Sequence, residues 1–380
     1  MFSAYRETFI FISLQGNTVM DIAKQNLSSF AEYAVHEYAH QIKKIKDNTS
    51  SVRQLPYMLW GAAGLGKSTG VRSIAKKLTQ LVDKSVKLLD VRLVQFDAVD
   101  LRGCPIVLNS VTQWATSSWL PNVERDGEFG ILFLDELFLA MPAVQAAALQ
   151  LILDRRLGDY VLPAGWFVIA ASNRPEDRAG VTAINGALVN RFEHREIVLS
   201  VDAWVEWAID EGLREEVIAF IRFRGEELLL QYPNGVPKGV VSFATPRTWA
   251  QVSTKLDMGH SPENEAVGIE GLVGQGPAAE FVGFLRTYRK IGTLDLQEII
   301  DDPENAPVPD DPTSVYAIAC HLGRKAKRET LGAFITFLNR CSPEYAIKAV
   351  TDAVQRDEDL KCSEAYLRFK RDFIDINVPQ

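Results

Sequence analysis

Two short stretches carry residue types at spacings suited to handling a phosphate. "GAAGLGKS", residues 61–68, has the form G-x-x-x-x-G-K-[ST]. Gly61, Gly64 and Gly66 let the backbone curl until its N–H groups point inward at phosphate oxygens, with Ala62, Ala63 and Leu65 completing the loop. The N-terminus of the helix that follows adds positive dipole. Lys67 is placed to reach the β- and γ-phosphates, the Ser68 hydroxyl to ligate Mg²⁺, and Thr69 to lie near the α-phosphate. "ILFLDE", residues 131–136, is four apolar residues ending in two carboxylates. Asp135 would hold the magnesium, mostly through water, and Glu136 would polarise an attacking water as general base. At a strand end, two such carboxylates can also simply cap the next helix.

Further along, "FVIAASN" ends a strand on Asn173. In a parallel sheet the strand tips share one edge, where ligands bind, so this amide could orient the water. Its other reading is an Asx turn before Pro175. "LVNRFEH" offers Arg191 and "FATPRTW" offers Arg247; either alone reads as a surface arginine. "VTQWATSSWLPN" carries Trp114 and Trp119, which could grip a client or pack as core aromatics.

A competing motif is "HEYAH", residues 36–40, an H-E-x-x-H pattern used by zinc peptidases. At 100° per residue from Leu27, the residues Ala34, Tyr38 and Ile45 fall on one line, while His36 and His40 lie at about 180° and 220° from it. They therefore face water. Lys43 lies beside them, and no continuation supplies a third ligand. Zinc catalysis is not expected.

The elements that must position these residues are legible as an alternation. A helix spans residues 21–46, followed by the polar linker "KDNTSSVRQLP". Then come strand "YMLW", a helix over 68–81, strand "VKLLDVRLV" and an irregular stretch to about residue 130. Strand "ILFLDEL", a helix over 142–154, and strands "WFVIAAS" and "REIVL" follow. Strands alternating with helices imply a doubly wound, mainly parallel sheet. After Ser200 only helices are expected, over 201–209, 213–230, 246–256, 277–291, 328–338, 343–356 and 363–374. "IIDDPENAPVPDDP" reads as an acidic connection.

The chain has 380 residues, 47% hydrophobic and 24% charged, with a net charge of −8. That is a soluble globular balance, and the acidic excess argues against broad nucleic-acid binding. Lys43, Lys44 and Lys46 form a local basic run of the kind usually just solvated. The four cysteines have no C-x-x-C spacing and read as buried thiols of a reducing compartment. No apolar run reaches the roughly 20 residues of a membrane span. The N-terminal patch "FIFISL" lacks a basic leader, so no signal peptide is expected, and Met20 is an alternative start to Met1. The cytoplasm is the default location.

Taken together, these motifs resemble the AAA+ ATPases and, within them, the MoxR-like branch, with the dynein-related type of ATPase domain. The resemblance covers about residues 56–255 through "LWGAAGLGKS", "DAVDLRGCP", "ILFLDEL", "AVQAAALQLILDRRLGDYVLPAGW", "AASNRPEDRAG", "ALVNRFEH" and "FATPRTW". It implies a doubly wound P-loop core followed by an all-α lid and a helical C-terminal extension. The expected divisions are 1–50 (N-terminal helix), 51–200 (nucleotide-binding domain), 201–260 (lid) and 261–380 (extension). It implies that Asn173 is sensor 1, that Arg191 is the finger reaching a neighbouring subunit's γ-phosphate, and that Arg247 is sensor 2. It also implies that "DRRLGDYVLPAGW" is a hairpin before the sensor 1 strand. ATP and Mg²⁺ are the implied ligands, a ring, usually a hexamer, the implied assembly, and a von Willebrand A-type protein the implied partner. Two functions follow: an ATP-driven chaperone or remodeller of that partner, or the NTPase motor of a nucleic-acid-processing, phage or restriction complex. Loop contacts read phosphates, so ATP and GTP are not distinguished by them.

Overall fold

The tetrapeptide YMLW is buried at every position, the condition of a strand covered on both faces. It is the second strand of a computed structural model describing residues 22–47, 55–177, 186–292 and 296–372. The "FIFISL" patch, the choice between Met1 and Met20, and most of the polar linker lie outside the described residues. In chain order the first elements are β1 (Lys24–Asn26), α1 (Leu27–Lys46), β2 (Tyr57–Trp60), α2 (Lys67–Val82) and β3 (Val86–Arg92). Next come α3 (Ala98–Arg102), a hairpin of β4 (Cys104–Leu108) and β5 (Val111–Ala115), α4 (Val123–Asp126) and β6 (Phe129–Asp135). Then follow α5 (Pro142–Asp154), the small hairpin β7 (Arg156–Leu157) and β8 (Tyr160–Val161), β9 (Trp166–Ser172), α6 (Gly186–Val189) and β10 (Glu193–Val198).

Six strands form one sheet in the order β1-β10-β2-β9-β6-β3, and every pairing is parallel. Side chains alternate between two cores. Tyr57, Leu59, Ile131, Phe133, Phe167, Ile169 and Ala171 face one core, completed by Phe30, Ala34, Tyr38 and Ile42 of α1 and Val71, Ile74 and Leu78 of α2. Met58, Trp60, Leu132, Leu134, Trp166, Val168 and Ala170 face the other, completed by α5. Strands buried on both faces read as unbroken apolar runs, which is why β2, β6 and β9 stood out in the sequence. The N-terminal helix is thus a structural cover of the sheet. Asn26 caps it, its side chain accepting from the Ser29 amide at 2.8 Å. His36 and His40 are exposed on its outer face. Among the described residues no three potential ligands gather as a metal site.

The stretch read as irregular contains the β4–β5 hairpin, turned by Asn109 and Ser110 at positive φ. Ile106, Val107, Val111 and Trp114 are all exposed on it, so no in–out alternation marked it in the sequence. Cys104 on this hairpin and Cys362 are exposed, so burial holds only for Cys320 and, in part, Cys341.

The described residues form two compact units: those up to 207 together with 229–248, and 208–228 together with those from 249 onward. The second is helical throughout its described part. Its elements complete α7 (Val201–Asp210), then include α8 (Glu215–Arg224), α9 (Glu226–Leu229, which runs into the first unit), and most of α10 (Pro246–Asp257). They continue through α11 (Pro262–Val273), α12 (Gln275–Gly292), α13 (Gln297–Asp301) and α14 (Pro312–Lys325). The chain closes with α15 (Leu331–Asn339), α16 (Pro343–Arg356) and α17 (Glu364–Asp372). One helix expected over 213–230 breaks at Gly225, φ 73°. Three helices of this unit were not foreseen: α11, α14, and α13, which enters the stretch read as an acidic connection. In α14 residues 315–323 are buried without interruption, which removes the amphipathic period, and α11 carries few large apolar residues. Among the described residues no helix is long and apolar enough to cross a membrane.

The register that brings the strand tips together is pinned at Gly130, paired with Trp166. A Cβ at Gly130 would lie 2.5 Å from the Trp166 ring, which is fully buried and donates its indole N–H to the Gly127 carbonyl at 3.1 Å. Gly130→Ala should therefore cost about 2–3 kcal/mol by overpacking. Chemical denaturation would measure it, and a loss below about 0.5 kcal/mol would show that the ring can give way.

Candidate functional site

Strand pairing sets the stage: Trp60 pairs with Ser172 across β2 and β9, while Leu134 pairs with Ala170 across β6 and β9. The ends of these three strands therefore lie on one edge, followed by Gly61, Asn173 and Glu136. The loop from Gly61 turns through Gly64 at φ 82° and Gly66 at φ 88° into α2. Gly64 has a second constraint, because a Cβ there would lie 2.9 Å from the Thr245 side chain. Lys67, the first residue of α2, folds back over the loop. Its ammonium donates to the carbonyls of Gly61 at 2.6 Å and Ala62 at 3.1 Å, and to Asn173 Oδ1 at 3.2 Å. Burial pulls its pKa down to about 8, against the attraction of Asp135 and Asp177, while Arg247 and Arg174 push the same way as burial. An incoming phosphate would reverse that trend.

Ser68 donates its hydroxyl to Asp135 Oδ2 at 3.1 Å, and the other Asp135 oxygen accepts the Glu136 amide at 3.0 Å. A hydroxyl and a carboxylate at this spacing are hard oxygen donors of the kind Mg²⁺ takes alongside waters and phosphate oxygens. Glu136 has φ 59° and ψ 34°, a left-handed conformation costing a non-glycine residue about 1 kcal/mol. The kink ends β6 and turns the chain after Asp135. Such strain at a strand tip is characteristic of working sites.

Arg191 is exposed just after α6, and its amide donates to Leu188 O at 3.1 Å. Arg247 is also exposed, but its amide donates to Gly64 O at 3.2 Å, so the start of α10 is tied to the phosphate loop. Thr245 caps this helix start, with its hydroxyl accepting the Thr248 amide at 3.1 Å. Ala62 is buried and Thr69 half-buried at the start of α2. The two tryptophans differ. Trp114 is exposed on β5. Trp119 lies edge-on to Phe96 and donates to Asp100 O at 3.3 Å, against the core. The structure thus gathers Lys67, Ser68, Asp135, Glu136 and Asn173, ties Arg247 to the loop through its backbone, and leaves Arg191 and Trp114 facing solvent.

Two participants escaped the sequence reading. One is His194, whose Nδ1 accepts from Trp60 Nε1 at 2.8 Å while Nε2 donates to Val189 O at 2.7 Å. It joins the strand entering the phosphate loop to the helix preceding Arg191. The other is Arg174, next to Asn173, which binds Asp177 and Glu196 at 2.7 and 2.8 Å. The Arg-Pro-x-Asp spacing of "NRPED" was the available signal for it.

With this geometry in place, comparison with known proteins is specific for the first unit. Residues 56–192 match the family model of the AAA domain (dynein-related subfamily). Over those residues the chain is similar to an AAA ATPase domain. Among solved structures, this chain is similar to a RuvB mutant of Thermotoga maritima at 17% identity, covering 83% of this chain and 90% of that one, with TM-score 0.37. Domain III of the replication initiation protein DnaA of the same organism aligns at 19% identity over 67% of this chain and 91% of that one, with TM-score 0.37. No curated protein matches.

The His194 bridge requires a neutral ring, because both of its bonds are satisfied only when Nδ1 accepts. Burial holds its pKa below the ordinary value, partly offset by the Val189 carbonyl. With a folded value below the unfolded one, the folded state binds fewer protons, so this contribution is complete above about pH 6.5 and is lost as pH falls through the lowered pKa. Thermal melts from pH 7.5 to 5 should show a decline that is shallower in His194→Gln, which can still donate and accept. Identical pH slopes in the two proteins would rule the bridge out as the cause.

Proposed function

We propose that the chain is a Mg²⁺-dependent ATP hydrolase of the MoxR-like AAA+ branch, working as a ring, most simply a hexamer, that remodels a partner protein in the cytoplasm. The observation that carries the hydrolytic part is the convergence of Lys67, Ser68, Asp135, Glu136 and Asn173 on one sheet edge. Backbone N–H groups of residues 61–68 and the N-terminus of α2 would bind the phosphates, with Lys67 on the β- and γ-oxygens. Ser68 and, through water, Asp135 would hold Mg²⁺, which neutralises charge on those oxygens. Glu136 would accept the proton of the attacking water, and Asn173 would orient that water against the γ-phosphate. Arg191 would act on the nucleotide of a neighbouring subunit, for which its exposure in a single chain is the supporting observation. Arg247 would report the nucleotide to α10.

For the client, the net charge of −8 favours a protein over a nucleic-acid backbone. A von Willebrand A-type protein is the proposed partner, on the MoxR-like resemblance. Trp114 on the exposed hairpin is the better placed of the two tryptophans to touch it.

Glu136→Gln should bind ATP with near-normal affinity while its turnover falls by ~10²-fold or more. Unchanged turnover would remove Glu136 from the role of base. Arg191→Ala should be inactive alone, with turnover down ~10³-fold. Mixed with Lys67→Ala it should regain part of the activity, since intact fingers then face intact sites. Failure to regain activity at every mixing ratio would argue against a finger acting between subunits.

A further inference from the structure

Directly after Asn173, the Arg174 guanidinium joins three separate parts of the first unit. It donates to Asp177 Oδ1 at 2.7 Å in its own loop, to Glu196 Oε1 at 2.8 Å on β10, and to the Pro233 carbonyl in the 229–248 segment. Its backbone amide also donates to Asp177 Oδ2 at 2.8 Å. The side chain is 13% exposed, and those of Asp177 and Glu196 are 5% and 6% exposed. Beyond Pro233, the chain closes on itself: the Gln231 amide donates to Ala244 O at 3.1 Å, and the Ala244 amide to Gln231 Oε1 at 3.3 Å. Thr245 then packs on Gly64, the Arg247 amide holds Gly64 O, and Lys67 returns to Asn173. The contacts form a closed circuit around the phosphate loop.

A buried ion cluster is a poor source of stability, because desolvation offsets its attraction and apolar replacements of similar volume often do as well. Its use is geometric. The guanidinium fork is planar and meets two carboxylates and a carbonyl in fixed directions, which a lysine cannot do. We propose that Arg174 is a positioning residue that locks Asn173 to the loop carrying Arg247, so that the sensing amide and the sensor arginine move as one piece. The inference rests on the roles proposed above for Asn173 and Arg247.

Arg174→Lys is the direct test, because it keeps a positive charge beside Asp177 and Glu196 while releasing Pro233. ATP turnover should fall ~10-fold or more, with KM within about threefold and Tm little changed. Trypsin should cut faster after the exposed Lys238, inside the released segment. Gln231→Leu opens the same circuit away from the ion cluster. It should give the same split between kcat and KM, and the double variant should lose nothing further. Wild-type kcat in Arg174→Lys, or losses that multiply in the double variant, would overturn the proposal. A drop in Tm large enough to account for the lost activity would assign Arg174 to the fold alone and overturn it as well. Absence of turnover in the wild-type protein, assayed first, would instead strike the hydrolysis reading, and the positioning role would fall with it.

Discussion

A buried ammonium sets the terms for the first unit. Lys67 is 9% exposed, and a charge taken out of water costs several kcal/mol unless oxygens surround it. Its three oxygens come from the loop after β2 and from the residue after β9. For them to meet, β2 and β9 must pair in the observed register, and the loop must turn back through left-handed glycines. Register in a sheet buried on both faces is strongly determined, since a slip of one residue exchanges every side chain between the two cores. The position of one nitrogen thus depends on packing across the whole sheet.

That dependence explains why the N-terminal helix belongs to the same unit. Its apolar stripe covers the half of the sheet face left by α2, and Leu27 reaches the first turn of α2, where a Cβ at Gly70 would lie 2.4 Å from it. The glycine leaves room for α1 to press against the helix that carries Lys67. The H-E-x-x-H pattern lies on the far side of this helix, where the histidines are exposed because the stripe opposite them is buried. The same periodicity that builds the cover produces the resemblance to a metal motif.

Where local chemistry and sheet topology coincide, the sequence was legible. The runs 57–60 and 166–172 are apolar because both faces are buried, and Pro142 opens α5 at the position where its missing N–H costs nothing. The circuit through Arg174 was not legible, because Glu196 and Pro233 come from distant positions that only the fold brings together. Nor was the His194 bridge, whose partners Trp60 and Val189 are 134 and 5 residues away. The β4–β5 hairpin escaped for the opposite reason: solvent on both faces leaves no pattern to read.

Four cations of the first unit divide into two kinds, and the difference has a physical consequence. Lys67 is buried and held by neutral carbonyl and amide oxygens, so its charge stays available to a phosphate, whereas Arg174 is half-buried and paired with two carboxylates of the same unit. Arg191 and Arg247 are exposed, and water solvates them at little cost. An exposed charge acts strongly on a phosphate only when something excludes that water, since attraction at about 4 Å rises from ~1 kcal/mol in bulk water to ~4 kcal/mol near a protein surface. For Arg191, in the role proposed for it, the excluding surface would come from a neighbouring subunit. On the roles proposed for these residues, binding a phosphate would draw on groups fixed by the fold, and accelerating its transfer on a charge that gains strength only when a neighbouring surface covers it.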